Sequence, residues 1–139
     1  MMQGLMMQGL MMQGSVTTVF LLAALWHGAA SFYFLAKAGR MLGAHTFERP
    51  VAPVAVDMMQ FLGAINLPFV VASLLGAMAS PALRAPLLLT VSLANLSQFA
   101  KDLHAHASGR WRPRLLFITI VDGLFGFVML ALAVWQYLA

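Results

Sequence analysis

Long apolar segments alternate along this chain with short segments that carry most of its charges. A helix needs about 20 apolar residues to cross the hydrocarbon of a bilayer. Windows of this kind cover residues 15–36, 58–79, 81–100 and 115–138. The apolar runs are continuous rather than alternating, which favours helices over strands. The sequence therefore predicts an all-α integral membrane protein, an antiparallel up-and-down bundle of four transmembrane helices.

The third window is the weakest of the four because Arg84 and Pro86 interrupt it. Its uninterrupted apolar stretch is shorter than the roughly 20 residues of a full span. We expect a full crossing, with a re-entrant segment as the alternative. Ser80 and Pro81 suit the start of this helix, and Gly109 suits its end.

The remaining boundaries are marked by residues with known helix-end preferences. Asp57 followed by Gln60 has the spacing of a capping box, which predicts the start of the second helix at Asp57. Pro50 and Pro53 predict a bent surface segment between the first two spans. Pro113 is expected to open the fourth helix.

Residues 1–14 repeat the pentapeptide Met-Met-Gln-Gly-Leu with little change. A solenoid needs a period of about 20 residues or more, so this repeat does not predict one. We interpret residues 1–14 as a low-complexity tail that contributes little. Residues 15–139 are then a single transmembrane domain.

The composition supports a membrane location, because 62% of the residues are hydrophobic and only 9% are charged. A soluble domain of this size could not bury so much apolar surface in one core. Cysteine is absent from the sequence, which excludes disulfides, thiolate metal sites and thiol catalysis.

Basic residues are concentrated in the first and third connecting segments, and the net charge is +4. These residues are Lys37, Arg40, Arg49, Lys101, Arg110, Arg112 and Arg114. Arg84 is the one basic residue outside them. The positive-inside rule predicts that both segments face the cytoplasm, or an organelle's matrix or stroma, and that both termini lie on the opposite side. Because topology accounts for the basic residues, no nucleic-acid partner is predicted.

Five polar residues fall inside the predicted spans: His27, Asn66, Asn95, Gln98 and Asp122. A charge at the bilayer centre costs from about 3 to more than about 10 kcal/mol, so such residues usually face the bundle interior. Counted from the basic side at about 1.5 Å per residue, His27, Asn66 and Asp122 share one depth, and Asn95 and Gln98 are shallower. We expect His27 to be the partner of Asp122. The layer is either hydrogen bonding between helices or a proton or ligand site.

The third connecting segment contains Arg110, Trp111, Arg112 and Arg114, which are predicted to contact lipid headgroups or a partner protein. His104 and His106 are two residues apart and do not share a helical face, so no metal site is predicted. No cofactor is predicted either, and the apolar surface is compatible with a bound lipid.

The sequence contains no recognisable nucleophile and base pair, phosphate loop or metal-ligand set, so an enzyme is not the first hypothesis. The leading hypothesis is a non-catalytic subunit or scaffold that packs with other membrane subunits or with copies of itself. One alternative is a small proton-coupled carrier or channel that uses Asp122 and His27. The other is a membrane enzyme whose lipophilic substrate lies near Asn66 and Pro68.

Overall fold

The computed structural model describes residues 2–47 and 50–138, with side chains from residue 11 onward. Within this part of the chain there are four α-helices: α1 (Met2–His45), α2 (Pro53–Met78), α3 (Pro81–Ala107) and α4 (Leu116–Leu138). A single 3-10 turn, Pro113–Leu115, leads into α4. The predicted all-helical class is confirmed.

Three segments are long and apolar enough to cross a membrane: Met11–His45, Pro53–Met78 and Pro113–Leu138. The chain thus has the helices of a multi-pass membrane protein. Helix α3 is not among them, and it carries Arg84, Lys101 and Asp102 within its length. The crossing by α3 therefore stays a prediction.

Helix α1 extends further than predicted in both directions. It begins at Met2, so the repeat is helical and continuous with the first span. It also runs to His45 after a local break at Lys37, where φ is −131° and ψ is 15°. Most of the predicted bent segment is therefore helix, and the prolines act only at its end.

The start of α2 corrects the predicted capping box. Pro53 is the first helical residue, preceded by Ala52 in an extended conformation, and Asp57 lies one turn inside the helix. The physical reason is that proline has no N–H to leave unpaired and its φ is already helical, so it suits the first helical position.

The ends of α3 match their predictions. Ser80 is extended at φ −64° and ψ 157°, and its carbonyl accepts the amide of Leu83 at 3.0 Å. Gly109 has a positive φ of 70°, and its amide donates to the carbonyl of His106 at 3.0 Å. Glycine adopts this left-handed conformation at the end of a helix without a steric penalty.

The bundle consists of two close helix pairs, α1 with α2 and α3 with α4. Glycine permits the first of these contacts, because a Cβ built on Gly63 would lie 2.9 Å from the Cβ of Phe34. The two pairs pack against each other in an apolar core, at the end of the bundle that contains Val16 to Ala23 of α1. Its buried members are Val16, Phe20, Ala23, Leu88, Val91, Met129 and Ala133.

At the other end of the bundle, the segment after α1 contacts the segment after α3. Thr46 and Trp111 form an isolated antiparallel bridge, and the Arg112 amide donates to the His45 carbonyl at 2.9 Å. The guanidinium carbon of Arg112 lies 5.1 Å from the ring centroid of Phe47. The two basic segments therefore lie at the same end of the bundle.

Candidate functional site

His27 is the centre of a buried hydrogen-bond network that joins three helices. Its Nδ1 lies 2.7 Å from Oδ1 of Asn66 on α2, and its Nε2 lies 3.2 Å from Nδ2 of Asn95 on α3. Each asparagine also bonds its own helix: Asn66 Nδ2 donates to the Leu62 carbonyl, and Asn95 Nδ2 donates to the Val91 carbonyl. The depth inferred for Asn95 from its spacing is thus corrected, because Asn95 reaches the level of His27.

The network defines the protonation state that His27 adopts within it. Asn66 turns its amide nitrogen toward a backbone carbonyl, so its oxygen faces His27 and accepts the Nδ1 proton. Asn95 presents its amide nitrogen both to a carbonyl and to the ring, so Nε2 of His27 must accept. A second ring proton would face a donor. The hydrogen bonds therefore select neutral His27 with its proton on Nδ1.

Asp122 does not pair with His27, contrary to the sequence prediction. Its Oδ1 accepts the indole N–H of Trp26 at 2.6 Å, and among the described residues its Oδ2 has no hydrogen-bond partner. Consecutive residues on a helix point about 100° apart. Trp26 consequently faces α4 while His27 faces α2 and α3. Trp26 was missed because an indole inside a span resembles an ordinary apolar side chain.

A second buried acid, Asp102, lies in the same cleft lining as His27, although it is not one of the five polar residues predicted for the spans. It is only 4% exposed, and burial together with the nearby Asp122 carboxyl raises its pKa to about 7. Asp102 lies two residues beyond the predicted third span. Its spacing of seven residues from Asn95 puts both on one face of α3, which was the signal that could have identified it.

A cleft of about 440 Å³ opens between α2 and α3, beside the His27 network. Its polar lining is formed by His27, Asn66, Ser97, Gln98, Lys101 and Asp102. Its apolar lining includes Met59, Leu62, Ile65, Phe69 and Ala94. Gln98, predicted as part of the intramembrane cluster, belongs to this lining, and it makes no hydrogen bond to His27, Asn66 or Asn95 in the described structure.

Next to the cleft is a polar depression of about 420 Å³, which we call the basic pocket. Its lining includes Leu42, Thr46, Lys101, His104, Arg110 and Trp111. The four predicted headgroup-contact residues thus separate. Arg110 and Trp111 line the basic pocket, Arg112 stacks on Phe47, and Arg114 is exposed in the 3-10 turn.

The residue types of the region are suited to binding through hydrogen bonds and charge. Within residues 11–47 and 50–138, no group of three or more His, Asp or Glu side chains is placed to hold a metal ion. The chain matches no family model, no curated protein and no solved structure. The geometry of the cleft and of the network is therefore the basis for a functional proposal.

Proposed function

We propose that this chain is a four-span membrane protein that binds an amphipathic small molecule, without transforming it, in the cleft between α2 and α3. The observation that carries the proposal is the cleft itself, with its volume of about 440 Å³. Ligand sites in proteins are mostly concave and apolar, typically about 300 to 1,000 Å³, with a few convergent polar groups. The cleft has this size and this mixture of side chains.

The arrangement of the lining favours a ligand that comes from the lipid phase. Leu62, Ile65 and Phe69 form one apolar wall along α2, while Gln98 and Lys101 lie on α3 toward the basic end. A molecule with an apolar body and a polar head matches these two regions. One of the two alternative hypotheses from the sequence, a membrane enzyme, had put a lipophilic substrate in the same place, near Asn66 and Pro68.

The proposal includes a membrane crossing by α3. This helix has 27 residues, and at about 1.5 Å per residue it extends roughly 40 Å, enough to span a bilayer. Its charges lie toward its ends: Arg84 near the start, Lys101 and Asp102 near the end. Arg84 donates to Thr17 Oγ1 at 3.2 Å and to the Ala77 carbonyl at 3.3 Å, as expected of a cation held near the interface.

Four crossings put the basic segments after α1 and α3 on the cytoplasmic, matrix or stromal side, with both termini opposite. Single cysteines at Arg40, Arg112 and Ala79 test this topology with a membrane-impermeant thiol reagent. We expect the first two to be labelled from one side and Ala79 from the other. Labelling of Arg112 from the same side as Ala79 would contradict a crossing by α3.

Ligand binding is tested by filling the cleft. Ala94 lies in its wall, so Ala94→Trp should occupy the space, whereas Ala100→Trp adds the same side chain at an exposed position of α3 outside the lining. After mild detergent extraction, native mass spectrometry should find a bound small molecule on the wild type and on Ala100→Trp, and little on Ala94→Trp. Equal occupancy of both variants, with helical content unchanged, would refute the proposal.

The second candidate is the non-catalytic subunit or homo-oligomer. A crevice of about 340 Å³ between α1 and α4 supports it, because Ala29 and Ala30 lie in its lining beside Trp26 and Phe117. Small residues allow a neighbouring membrane helix to approach closely. If this crevice holds a partner helix, Ala30→Trp should release that protein during purification. Retention of every co-purified chain by Ala30→Trp would oppose this candidate.

A further inference from the structure

The cleft and the basic pocket share two lining residues, Lys101 and Trp111. They are therefore neighbouring parts of one surface, apolar between α2 and α3 and cationic where α3 ends. Resting on the function proposed above, we propose that the ligand is an anionic lipid. Its phosphate lies in the basic pocket, and the first part of its acyl chain lies along the cleft.

The head belongs at the basic end because the polar atoms of the deep network already bond one another, except the Asn95 amide oxygen, an acceptor that does not attract an anion. Both ring nitrogens of His27 are in hydrogen bonds, and so are the Asn66 oxygen and the Asn95 amide nitrogen. A charged head at this depth would have to break these bonds and leave buried groups unpaired, which is costly. The deep end is therefore suited to contact a chain rather than to recognise a head.

The basic pocket combines side chains that suit a phosphate at a membrane interface. Lys101 and Arg110 supply two basic side chains, and the His104 imidazole lies beside them as a further hydrogen-bonding group. Arg110 is oriented by its Nε, which donates to Ser108 Oγ at 3.0 Å. The rest of its guanidinium carries further donors, and such a planar fork matches phosphate oxygens. Trp111 adds an amphipathic ring of the kind that is enriched at headgroup depth.

The lining also contains one opposing group among the described residues, the Asp102 carboxyl. It lies in the cleft and not in the basic pocket, and its pKa is raised to about 7. Near neutral pH it therefore carries only part of a negative charge. The cations of the basic pocket outnumber it, so the net field at the shared mouth favours an anion.

The length of the cleft fits the beginning of an acyl chain. From Ala94 to Lys101 is seven residues of α3, or about 10 Å along the helix. A longer chain would leave between α2 and α3 into the surrounding lipid, where apolar side chains such as Ile65 are exposed. The site therefore selects the head and the first part of the chain, and places no limit on the total chain length.

The experiment compares phosphatidylglycerol with phosphatidylcholine of the same chains, counting bound lipids by native mass spectrometry of protein released from mixed nanodiscs. The wild type should retain phosphatidylglycerol preferentially. Lys101→Gln and Arg110→Gln should each lower that preference by about fivefold, as one interfacial basic residue contributes about 1 kcal/mol toward an anionic lipid. Arg114→Gln removes the same charge at an exposed position outside the lining of the basic pocket and should lower the preference less than Arg110→Gln does.

Several results would overturn the inference. Equal losses from Arg110→Gln and Arg114→Gln would show general attraction to an anionic membrane. Displacement of the lipid by free inorganic phosphate would show that the head alone is the ligand. If Ala94→Trp abolishes binding of the endogenous molecule while Arg110→Gln keeps it, the cleft function stands and the anionic lipid fails. If Arg110→Gln loses phosphatidylglycerol and Ala94→Trp keeps it, the cleft function fails instead.

Discussion

Replacing His27 with leucine should destabilise the bundle by an amount that its hydrogen bonds set. His27→Leu removes the bonds to Asn66, at 2.7 Å, and to Asn95, at 3.2 Å. Side-chain hydrogen bonds between membrane helices contribute about 0.6 kcal/mol on average and at most about 1.7. Two such bonds predict a loss of about 1 to 3 kcal/mol in the free energy of unfolding.

A double-mutant cycle isolates one of these bonds. Asn66→Leu also breaks the bond from Asn66 to the Leu62 carbonyl, but that loss occurs in both arms of the cycle and cancels. The coupling energy between His27→Leu and Asn66→Leu should therefore be about 0.6 to 1.7 kcal/mol. Reversible unfolding in mixed micelles with increasing dodecyl sulfate, followed by far-ultraviolet circular dichroism, measures each corner of the cycle.

A second cycle with Ser73→Ala provides the control. Ser73 is buried on the same helix, seven residues beyond Asn66, and its hydroxyl has no partner among the described residues. Its coupling to His27 should fall within about 0.3 kcal/mol of zero, the usual scatter for independent sites. If the His27 and Asn66 coupling is no larger than this control value, the hydrogen bond does not stabilise the bundle and the network reasoning is wrong.

Three further outcomes follow from the same structure. Trp26→Phe removes the only hydrogen bond described for the Asp122 side chain and should cost about 0.6 to 1.7 kcal/mol in the unfolding assay. Asp122→Asn should cost less, because its amide oxygen can still accept the indole N–H. Gly63→Ala would put a Cβ 3.0 Å from the backbone nitrogen of Leu35 on α1 and should lower the free energy of unfolding by about 1 to 3 kcal/mol. Gly28→Ala at the same helix interface has its nearest contact at 4.0 Å and should be tolerated. Equal costs of the two variants would contradict the packing. Between pH 3.8, the ordinary pKa of an aspartate, and about 7, Asp102 keeps its proton in the folded state but would lose it in the unfolded state. Its contribution to stability is therefore greatest in acid and is lost as pH rises through about 7. The melting temperature in detergent should fall between about pH 4 and about 7, and Asp102→Asn should make this fall smaller.

The helical class was predictable because the signal is spread over many residues. Each apolar window contains about 20 residues, so single exceptions do not obscure it. Proline and glycine at positions 81, 109 and 113 identified helix ends for a local reason, their restricted or permissive φ. Asp57 misled because a capping box and an ordinary exposed position inside a helix have the same sequence pattern, and Pro53 decides between them only in the structure.

The partners within the site were less predictable, because depth along a helix and direction around it are separate quantities. His27 and Asp122 were matched by depth alone, yet His27 faces α2 and α3 while Trp26 faces Asp122. Resolving direction requires the rotation of each helix in the bundle, which depends on contacts such as Gly63 against Phe34. A single sequence contains the small residues but does not say which helix each one meets.

The division of the bundle into two unlike halves explains why its polar residues can coexist with its stability. At the end of the bundle near Val16, Phe20, Leu88 and Met129 join the two helix pairs in an apolar core. Toward the other end, α2 and α3 leave the cleft between them, while the segments after α1 and α3 join the two pairs through the Thr46 and Trp111 bridge. Because the apolar core and the bridge between Thr46 and Trp111 hold the helix pairs together on both sides of the cleft, the region near Lys101 can keep open volume and a buried acid. A ligand that fills the cleft binds only the folded bundle and should therefore raise its stability, which links occupancy of the cleft to the stability of the fold.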